Sequence, residues 1–330
     1  MPIITEKPDS NTLTRPSSVP LQVLDRWYFT FAIGLPPPLN ILALDRQLFM
    51  GKGESKSISS LQDIYPLATW LPWLFNEAFP RVAEADLLDI SEAGTLLILG
   101  LLLHDPYLDG QLPPHPAIPL LHQQLHSAAL RQFHRLFEAQ SPFWSYFDHY
   151  LGQYTTALLR EMEHRGRVAA YSVEMMYEIG SGKIALFKAV TTALAMQAKA
   201  ERYISQLEAA VDALGAAMQL ADDIEDWAED YQRKNYTLPL TRVIPSEQWP
   251  TPTLSIEEIG QRLEDSIILE RLVKQVIEWF HQALDAVAEL HCPGWVEFIE
   301  TYLARAERYQ RSLVAKKLLK IMSSTKVEDE

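Results

Sequence analysis

Cysteine occurs once in this chain of 330 residues, as Cys292. A single cysteine excludes an internal disulfide bond and any metal site built from several thiolates. Chains without disulfide bonds are typical of reducing compartments, and residues 1–7 contain no apolar signal core. We therefore expect a cytoplasmic protein.

Positive charge and long apolar runs are also scarce. The chain has 29 Lys and Arg against 43 Asp and Glu, which gives a net charge of −14. This excess argues against nucleic acid or an anionic membrane surface as the main partner, and it suits a protein that recruits cations. The longest apolar runs, at 29–44 and 96–103, are broken by prolines or are too short to span a bilayer. We expect no transmembrane segment.

Glycine contributes only 13 residues, and no segment shows the alternating polarity of a strand. Long segments repeat apolar residues every three or four positions, which is typical of helices. With 48% hydrophobic residues, the chain can bury a sizeable core. We predict an all-α fold with one helical domain at 21–322. A disordered lead-in at 1–20 precedes it, and a frayed tail at 323–330 follows it.

The stretch Asp222–Asp230 is the most acidic in the chain, since six of its nine residues are Asp or Glu. It ends a predicted helix at 203–230, whose apolar stripe continues into the acids. On that helix the carboxylates of Asp222, Asp223 and Asp226 share a face, where like charges destabilise the helix by a few tenths of a kcal/mol per pair. A divalent-cation site explains this pattern, and a solvated helix end is the alternative.

A second acidic pair follows the predicted helix at 84–104, which is apolar on every side and is therefore expected at the centre of the fold. Asp105 and Asp109 are four residues apart, but Pro106 between them disfavours a continuing helix, so a helix stop is the alternative. If the two helices pack side by side, the acids face each other across one end of the bundle. Oxygen ligands without a His or Cys cluster favour Mg²⁺ or Mn²⁺, and Mg²⁺ commonly binds substrate phosphates.

These motifs resemble those of the class I isoprenoid synthases. Gln219–Asp226 is similar to the second aspartate-rich motif of trans-polyprenyl diphosphate synthases, and Lys234–Leu240 to their Lys…Thr-Leu-Pro segment. The same stretch is also similar to the second motif of squalene and phytoene synthases. His104–Asp109 matches the first Asp-Asp-x-x-Asp motif at its outer aspartates, with Pro106 in place of the second aspartate. Gly180–Phe187 resembles the Lys-Thr-Gly-Ala-Leu segment that breaks a helix in this family, with the lysine displaced.

The resemblance implies an antiparallel bundle of about 10–12 helices around a central cavity. It further implies a prenyl diphosphate substrate, bound Mg²⁺ (alternatively Mn²⁺) and a homodimer. The implied metal ligands are Asp105, Asp109, Asp222, Asp223, Asp226 and Asp230, of which Asp105, Asp109, Asp222 and Asp226 are the catalytic candidates.

Four more residues are candidates for substrate binding, namely Lys183, Arg233, Lys234 and Tyr236. Bases near the metal ions can bind phosphate oxygens. Alternatively, Arg233 and Lys234 are counter-charges at a helix C-terminus. For Lys183 the alternative is a solvated loop residue, and for Tyr236 a core tyrosine.

The chain also departs from the family. Elongating synthases carry a basic Gly-Gly-Lys-Arg-x-Arg-Pro segment that binds isopentenyl diphosphate, but this chain has the sequence Leu61–Pro66 at the corresponding helix start. The basic pair that follows the first motif is absent too. We therefore predict ionisation of a single prenyl diphosphate, as in terpene cyclases and lyases. The alternatives are prenyl transfer, by elongation or by head-to-head condensation of the squalene and phytoene kind, and a non-catalytic binding subunit.

Overall fold

The computed structural model describes residues 19–50, 58–61, 64–108 and 115–325, without the side chains of residues 46, 50, 105, 106 and 321–325. In these ranges the chain forms fifteen α-helices and no β-strand, which confirms the all-α prediction and exceeds the expected number of helices. The helices are α1 (Leu21–Ile33), α2 (Leu39–Leu42), α3 (Arg46–Met50), α4 (Pro66–Phe75), α5 (Glu84–Leu108), α6 (Ala117–Leu136), α7 (Phe143–Met162), α8 (Val173–Lys183), α9 (Phe187–Gln197), α10 (Ile204–Glu225), α11 (Trp227–Gln232), α12 (Leu238–Val243), α13 (Ile256–Asp265), α14 (Ile268–Asp285) and α15 (Pro293–Thr325).

Helix α5 is the apolar helix that the sequence places at the centre of the fold. It packs against α4, α6 and α9, and Ile98, Leu99 and Leu103 are fully buried. Taken singly, Glu84–His104 is the one helix in the described part of the chain that is long and apolar enough to cross a membrane. However, 72% of its most apolar window is buried inside the fold. Such burial is typical of a core helix.

Two glycines let α8 approach α10 very closely. A Cβ atom on Gly215 would lie 2.7 Å from the carbonyl oxygen of Gly180, and a Cβ on Gly180 would lie 2.8 Å from the Cα of Ala216. Real Cβ atoms do not tolerate such contacts, so the two backbones touch only because both positions lack a side chain. This contact brings Lys183, the last residue of α8, beside the acidic end of α10.

Helices α8 and α9 are separated by a three-residue break at 184–186 and differ in direction by 64°. Helix α9 packs against both α5 and α10, so that it connects the two helices that carry the acidic motifs. The condition that α5 and α10 pack side by side is not met in the described part of the chain, where α9 packs against both.

A second, smaller core lies beside the acidic motif. It contains Tyr236 and Leu240 at α12 together with Ile259 on α13, and Trp227 and Tyr231 of α11 pack against it. These contacts hold α11 as a separate helix. The predicted helix at 203–230 is accordingly divided into α10 and α11 at Asp226. The hydrogen bond from the Asp226 amide to the Asp222 carbonyl, 2.8 Å long, still spans the break.

Two other boundaries differ from the sequence predictions. Helix α5 continues past Pro106 to Leu108, although the predicted helix ends at residue 104. Helix α15 continues to Thr325, three residues into the predicted tail. Most of the predicted lead-in at 1–20 lies outside the described residues, as does the end of the tail.

Candidate functional site

The second acidic motif lines a polar pocket of about 190 Å³ near the meeting point of α7, α8, α10 and α11. Carboxylates dominate its wall, and a few basic and amide side chains complete it. The lining residues are Glu161, Arg165, Lys183, Gln219, Asp222, Asp223, Asp226, Glu229, Asp230, Arg233 and Asn235. We call this cavity the acidic pocket.

Asp223 lies deepest among these acids, with 3% of its surface exposed. Its Oδ1 accepts a hydrogen bond of 2.9 Å from Nε2 of Gln219, whereas its Oδ2 is buried without a hydrogen-bond partner. Burial, followed by the nearby charge of Asp230, raises the pKa of Asp223 well above its ordinary value. A buried carboxylate oxygen without a partner costs about 1–3 kcal/mol or more. A bound cation would remove this cost.

Asp230 lies on the α11 side of the acidic pocket. Asn235 donates two hydrogen bonds to this residue, one from Nδ2 to Oδ1 (3.2 Å) and one from its amide to the carbonyl oxygen (2.8 Å). Lys234 has a φ of 58°, the left-handed conformation that turns the chain back on itself between these residues. Burial is the main reason why the pKa of Asp230 rises to about 6, and the neighbouring charge of Asp226 adds to it.

A buried ion pair closes the α7 side of the acidic pocket. Nζ of Lys183 lies 3.0 Å from Oε1 of Glu161, and the two side chains are 11% and 9% exposed. The other carboxylate oxygen of Glu161, Oε2, is buried without a hydrogen-bond partner. On the α11 side, Arg233 pairs with Glu229.

The turn after α7 connects the acidic pocket to the end of α5. The Gly166 amide donates to the carbonyl of Lys234 (2.8 Å), and the Tyr236 amide donates to the carbonyl of His164 (3.3 Å). Between them, Nη1 of Arg165 donates to the carbonyl oxygen of Leu108 at 2.9 Å. The last turn of α5 therefore reaches the rim of the acidic pocket.

An aromatic residue, Tyr65, lies near Asp222. The hydroxyl of Tyr65 contacts the sulfur of Met218 at 3.8 Å, and its ring packs edge-on against Phe187 with centroids 6.3 Å apart. Burial is the main cause that raises the pKa of Tyr65 well above its ordinary value, and the charges of Tyr302 and Asp222 add to it. Apolar and aromatic surface thus adjoins the acidic motif.

The structure brings together most of the predicted site residues of the second motif. Asp222, Asp223, Asp226 and Asp230 line the acidic pocket together with Lys183 and Arg233. Lys234 and Tyr236 are not among the lining residues. Lys234 contributes its carbonyl oxygen to the turn, and Tyr236 is a buried member of the small core.

The first motif is described only in part. Asp105 belongs to the last turn of α5, but its side chain lies outside the described part of the structure, and so does the whole of Asp109. Whether their carboxylates face the acidic pocket stays a prediction.

Sequence reasoning missed several residues of the acidic pocket. Glu161 and Arg165 belong to an ordinary charged helix end in the sequence, and nothing in their spacing distinguishes them from solvated residues. Gln219 lies within the second aspartate-rich motif, but its contact with Asp223 depends on the depth at which the helix is buried. These roles arise from packing and leave no local signal.

The described residues contain no group of three His, Cys, Asp or Glu side chains placed to hold a metal ion by themselves. Mg²⁺ does not require such a group, because it commonly takes one or two carboxylates and completes its octahedron with water and phosphate oxygens. The unpartnered oxygens of Asp223 and Glu161 are suitable donors of this kind. The acidic pocket therefore fits a hard divalent cation.

The helical architecture is that of the trans-polyprenyl diphosphate synthases, the class I isoprenoid synthase fold. A decaprenyl diphosphate synthase from Rhodobacter capsulatus superposes with a TM-score of 0.67 over 87% of this chain and 95% of its own, at 15% identity. A polyprenyl synthase from Caulobacter crescentus, complexed with calcium and isoprenyl diphosphate, gives a TM-score of 0.66 over 86% and 93% of the two chains, at 17% identity. A geranylgeranyl pyrophosphate synthase from Lactobacillus brevis gives 0.64 over 87% and 95%, at 14% identity.

Comparison with protein-family models gave no match, and comparison with the sequences of curated proteins gave none either. At the identities of the matched structures, the likeness establishes the fold alone. The predicted similarity to squalene and phytoene synthases stays a prediction.

Proposed function

We propose that this chain is a divalent-cation-dependent prenyltransferase, which binds an allylic prenyl diphosphate at the acidic pocket and transfers the prenyl group as diphosphate departs. The observation that carries the proposal is the acidic pocket itself. It contains buried carboxylate oxygens without partners beside Lys183 and Arg233, in a fold shared with prenyl diphosphate synthases. The comparisons favour prenyl transfer over the cyclase or lyase chemistry that the sequence suggests.

In this proposal the carboxylates of Asp222, Asp223, Asp226 and Asp230 hold Mg²⁺, or alternatively Mn²⁺, on one side of the substrate. Asp105 and Asp109 supply the other side. When bound, the cation acts as a Lewis acid that neutralises charge on the departing diphosphate. The Caulobacter protein supports the proposal, because its structure holds calcium together with isoprenyl diphosphate.

The diphosphate contacts are assigned to Lys183 and Arg233, since both line the acidic pocket. Their charges bind phosphate oxygens and offset the negative charge that grows on the leaving group. Lys234 and Tyr236 are less favoured, because neither lines the cavity and Tyr236 is 4% exposed. The aromatic surface around Tyr65 excludes water from the reacting carbon chain.

Ionisation of a single diphosphate, as in a cyclase or lyase, is the second candidate. It is favoured by the segment that precedes α4, where elongating synthases carry their basic motif. There Leu61 and Ile64 are buried, and the Leu61 amide donates to Oδ1 of Asp25 at 2.8 Å. Among the described residues of this segment, 58–61 and 64–66, no basic side chain is present to bind a second diphosphate.

Turnover distinguishes these candidates. The purified protein is incubated with Mg²⁺ and allylic diphosphates of increasing length, with and without isopentenyl diphosphate, and diphosphate release and products are measured. Prenyl transfer predicts a longer product and release that depends on the acceptor. Release from the allylic substrate alone would instead indicate a cyclase or lyase. If no substrate turns over, and Asp222→Asn binds diphosphate as the wild type does, a non-catalytic subunit is the better description.

We further propose a cytoplasmic homodimer, on the strength of the resemblance to polyprenyl diphosphate synthases. Sedimentation velocity at micromolar concentration tests the dimer directly. A single species at the mass of one chain, 37.6 kDa, would contradict it.

A further inference from the structure

Glu161 is the only carboxylate of the acidic pocket that comes from α7, and its two oxygens have different surroundings. Oε1 accepts a hydrogen bond from Nζ of Lys183 at 3.0 Å. Oε2 is buried and has no hydrogen-bond partner. Lysine has three donors, so a purely structural pair could satisfy both oxygens. Here one oxygen remains unsatisfied at a residue that is only 7% exposed.

Packing holds α7 close to the site. A Cβ atom on Gly182 would lie 2.5 Å from the Cβ of Ala157, so α8 touches α7 one turn before Glu161. The turn that follows α7 is fixed by the hydrogen bond between the Gly166 amide and the Lys234 carbonyl. Glu161 is therefore placed by contacts on both sides.

Glu161 and Asp223, each of which has one buried carboxylate oxygen without a hydrogen-bond partner, line the same cavity. Buried carboxylate oxygens require a positive partner or a donor. Lys183 supplies a donor to Oε1 of Glu161 but not to Oε2.

We propose that Glu161 is a ligand of the divalent cation, so that α7 contributes to the metal site, and that Lys183 competes with the cation for this carboxylate. The inference rests on the proposed function. Without a cation, the Lys183 ammonium compensates the charge of Glu161. When a cation binds to Glu161 and to the acids of α10, the flexible lysine turns to the phosphate oxygens. Metal binding thereby prepares the diphosphate contact.

The test measures binding of Mn²⁺ alone by electron paramagnetic resonance. Glu161→Gln is expected to weaken Mn²⁺ binding at least tenfold, which is within the range for changes around metal ligands. Lys183→Met is expected to tighten it, because a competing charge is removed. Glu163→Gln is the matched control, since this exposed residue lies two positions away and outside the acidic pocket. It should bind Mn²⁺ as the wild type does.

Opposite signs for Glu161→Gln and Lys183→Met support the inference. Equal affinities in Glu161→Gln and Glu163→Gln overturn it, and so does weaker binding in Lys183→Met. If Glu161→Gln does not fold, Lys183→Met is compared with the double variant Glu161→Gln/Lys183→Met, in which both members of the buried ion pair are neutral. The double variant should bind more weakly, and equal binding would contradict the inference.

The same titration separates this inference from the proposed function. If Asp222→Asn abolishes Mn²⁺ binding and Glu161→Gln leaves it intact, the inference fails while the proposed function stands. If the wild type itself binds no Mn²⁺, with or without inorganic diphosphate, both fail.

Discussion

The guanidinium of Arg165 is hydrogen-bonded to the carbonyl oxygen of Leu108, with 2.9 Å between Nη1 and the oxygen. Leu108 ends α5, the helix whose last turn includes Asp105, and Arg165 lines the acidic pocket at the end of α10. One side chain thus connects the two acidic segments of the sequence. It also explains why α5 continues past Pro106, because a cation stabilises the free carbonyl groups at a helix C-terminus.

Arg165→Ala should loosen the last turn of α5. A hydrogen bond that involves a charged group contributes about 1.5–3 kcal/mol, so hydrogen exchange at the amides of residues 104, 105, 107 and 108 is expected to accelerate roughly tenfold or more. Arg167→Ala is the matched control, because Arg167 is exposed after the same turn. Equal exchange rates in the two variants would show that the bond does not hold the end of α5.

Gly215→Ala should destabilise the protein. The new methyl group would lie 2.5 Å from Cγ1 of Ile184 and 2.7 Å from the carbonyl of Gly180. Overpacking of this kind costs about 1–3 kcal/mol, which exceeds the gain of up to about 1 kcal/mol from replacing a glycine within a helix. The free energy of unfolding in urea should therefore fall.

Gly152→Ala on α7 is the control for that prediction, since a Cβ there has no atom within 4 Å. It should stabilise the protein by up to about 1 kcal/mol. If both alanine variants are stabilised, α8 and α10 do not touch as described.

The raised pKa of the Glu92 carboxyl should make the stability of the protein depend on pH. Burial and then the charge of Asp89 raise its pKa from 4.5 to about 7, while Gln132 donates to its Oε2 at 2.9 Å. The folded state then binds a proton more tightly than the unfolded state, so this contribution is present below pH 4.5 and is lost as the pH rises through 7. Glu92→Gln, which mimics the protonated acid, should be more stable than the wild type at pH 8.

Urea unfolding of Glu92→Gln and the wild type at pH 8 and pH 5 checks this prediction. The stabilisation should shrink towards pH 5, where the wild-type acid is protonated in the folded state. A difference that stays constant across this range would mean that the Glu92 carboxyl titrates normally.

Apolar periodicity predicts much of this fold because most helices bury a stripe that their own residues define. Helix α5 differs from these helices, since it is apolar on every side, and this determines its central position. The break at Asp226 could not be predicted, because it depends on Trp227 packing against Gly260 of α13. That contact joins residues 33 positions apart, and the local pattern favours an unbroken helix.

The candidate site, like the fold, could be predicted only in part. Charge density at Asp222–Asp230 indicates the cation-binding segment, and the structure brings its four aspartates to one cavity. Glu161 and Arg165 reach that cavity only because glycine contacts draw α7, α8 and α10 together. Their place in the acidic pocket results from how the helices pack, which a single sequence does not indicate.

The central claim is that the acidic pocket binds diphosphate through a divalent cation. Calorimetric titration of the wild type with inorganic diphosphate, with Mg²⁺ and with EDTA in its place, tests this claim most directly, with Asp222→Asn and Asp226→Asn alongside. We predict binding that requires Mg²⁺ and that weakens roughly 10- to 100-fold in each variant. Binding that persists without a cation, or that is unchanged in both variants, would contradict the claim.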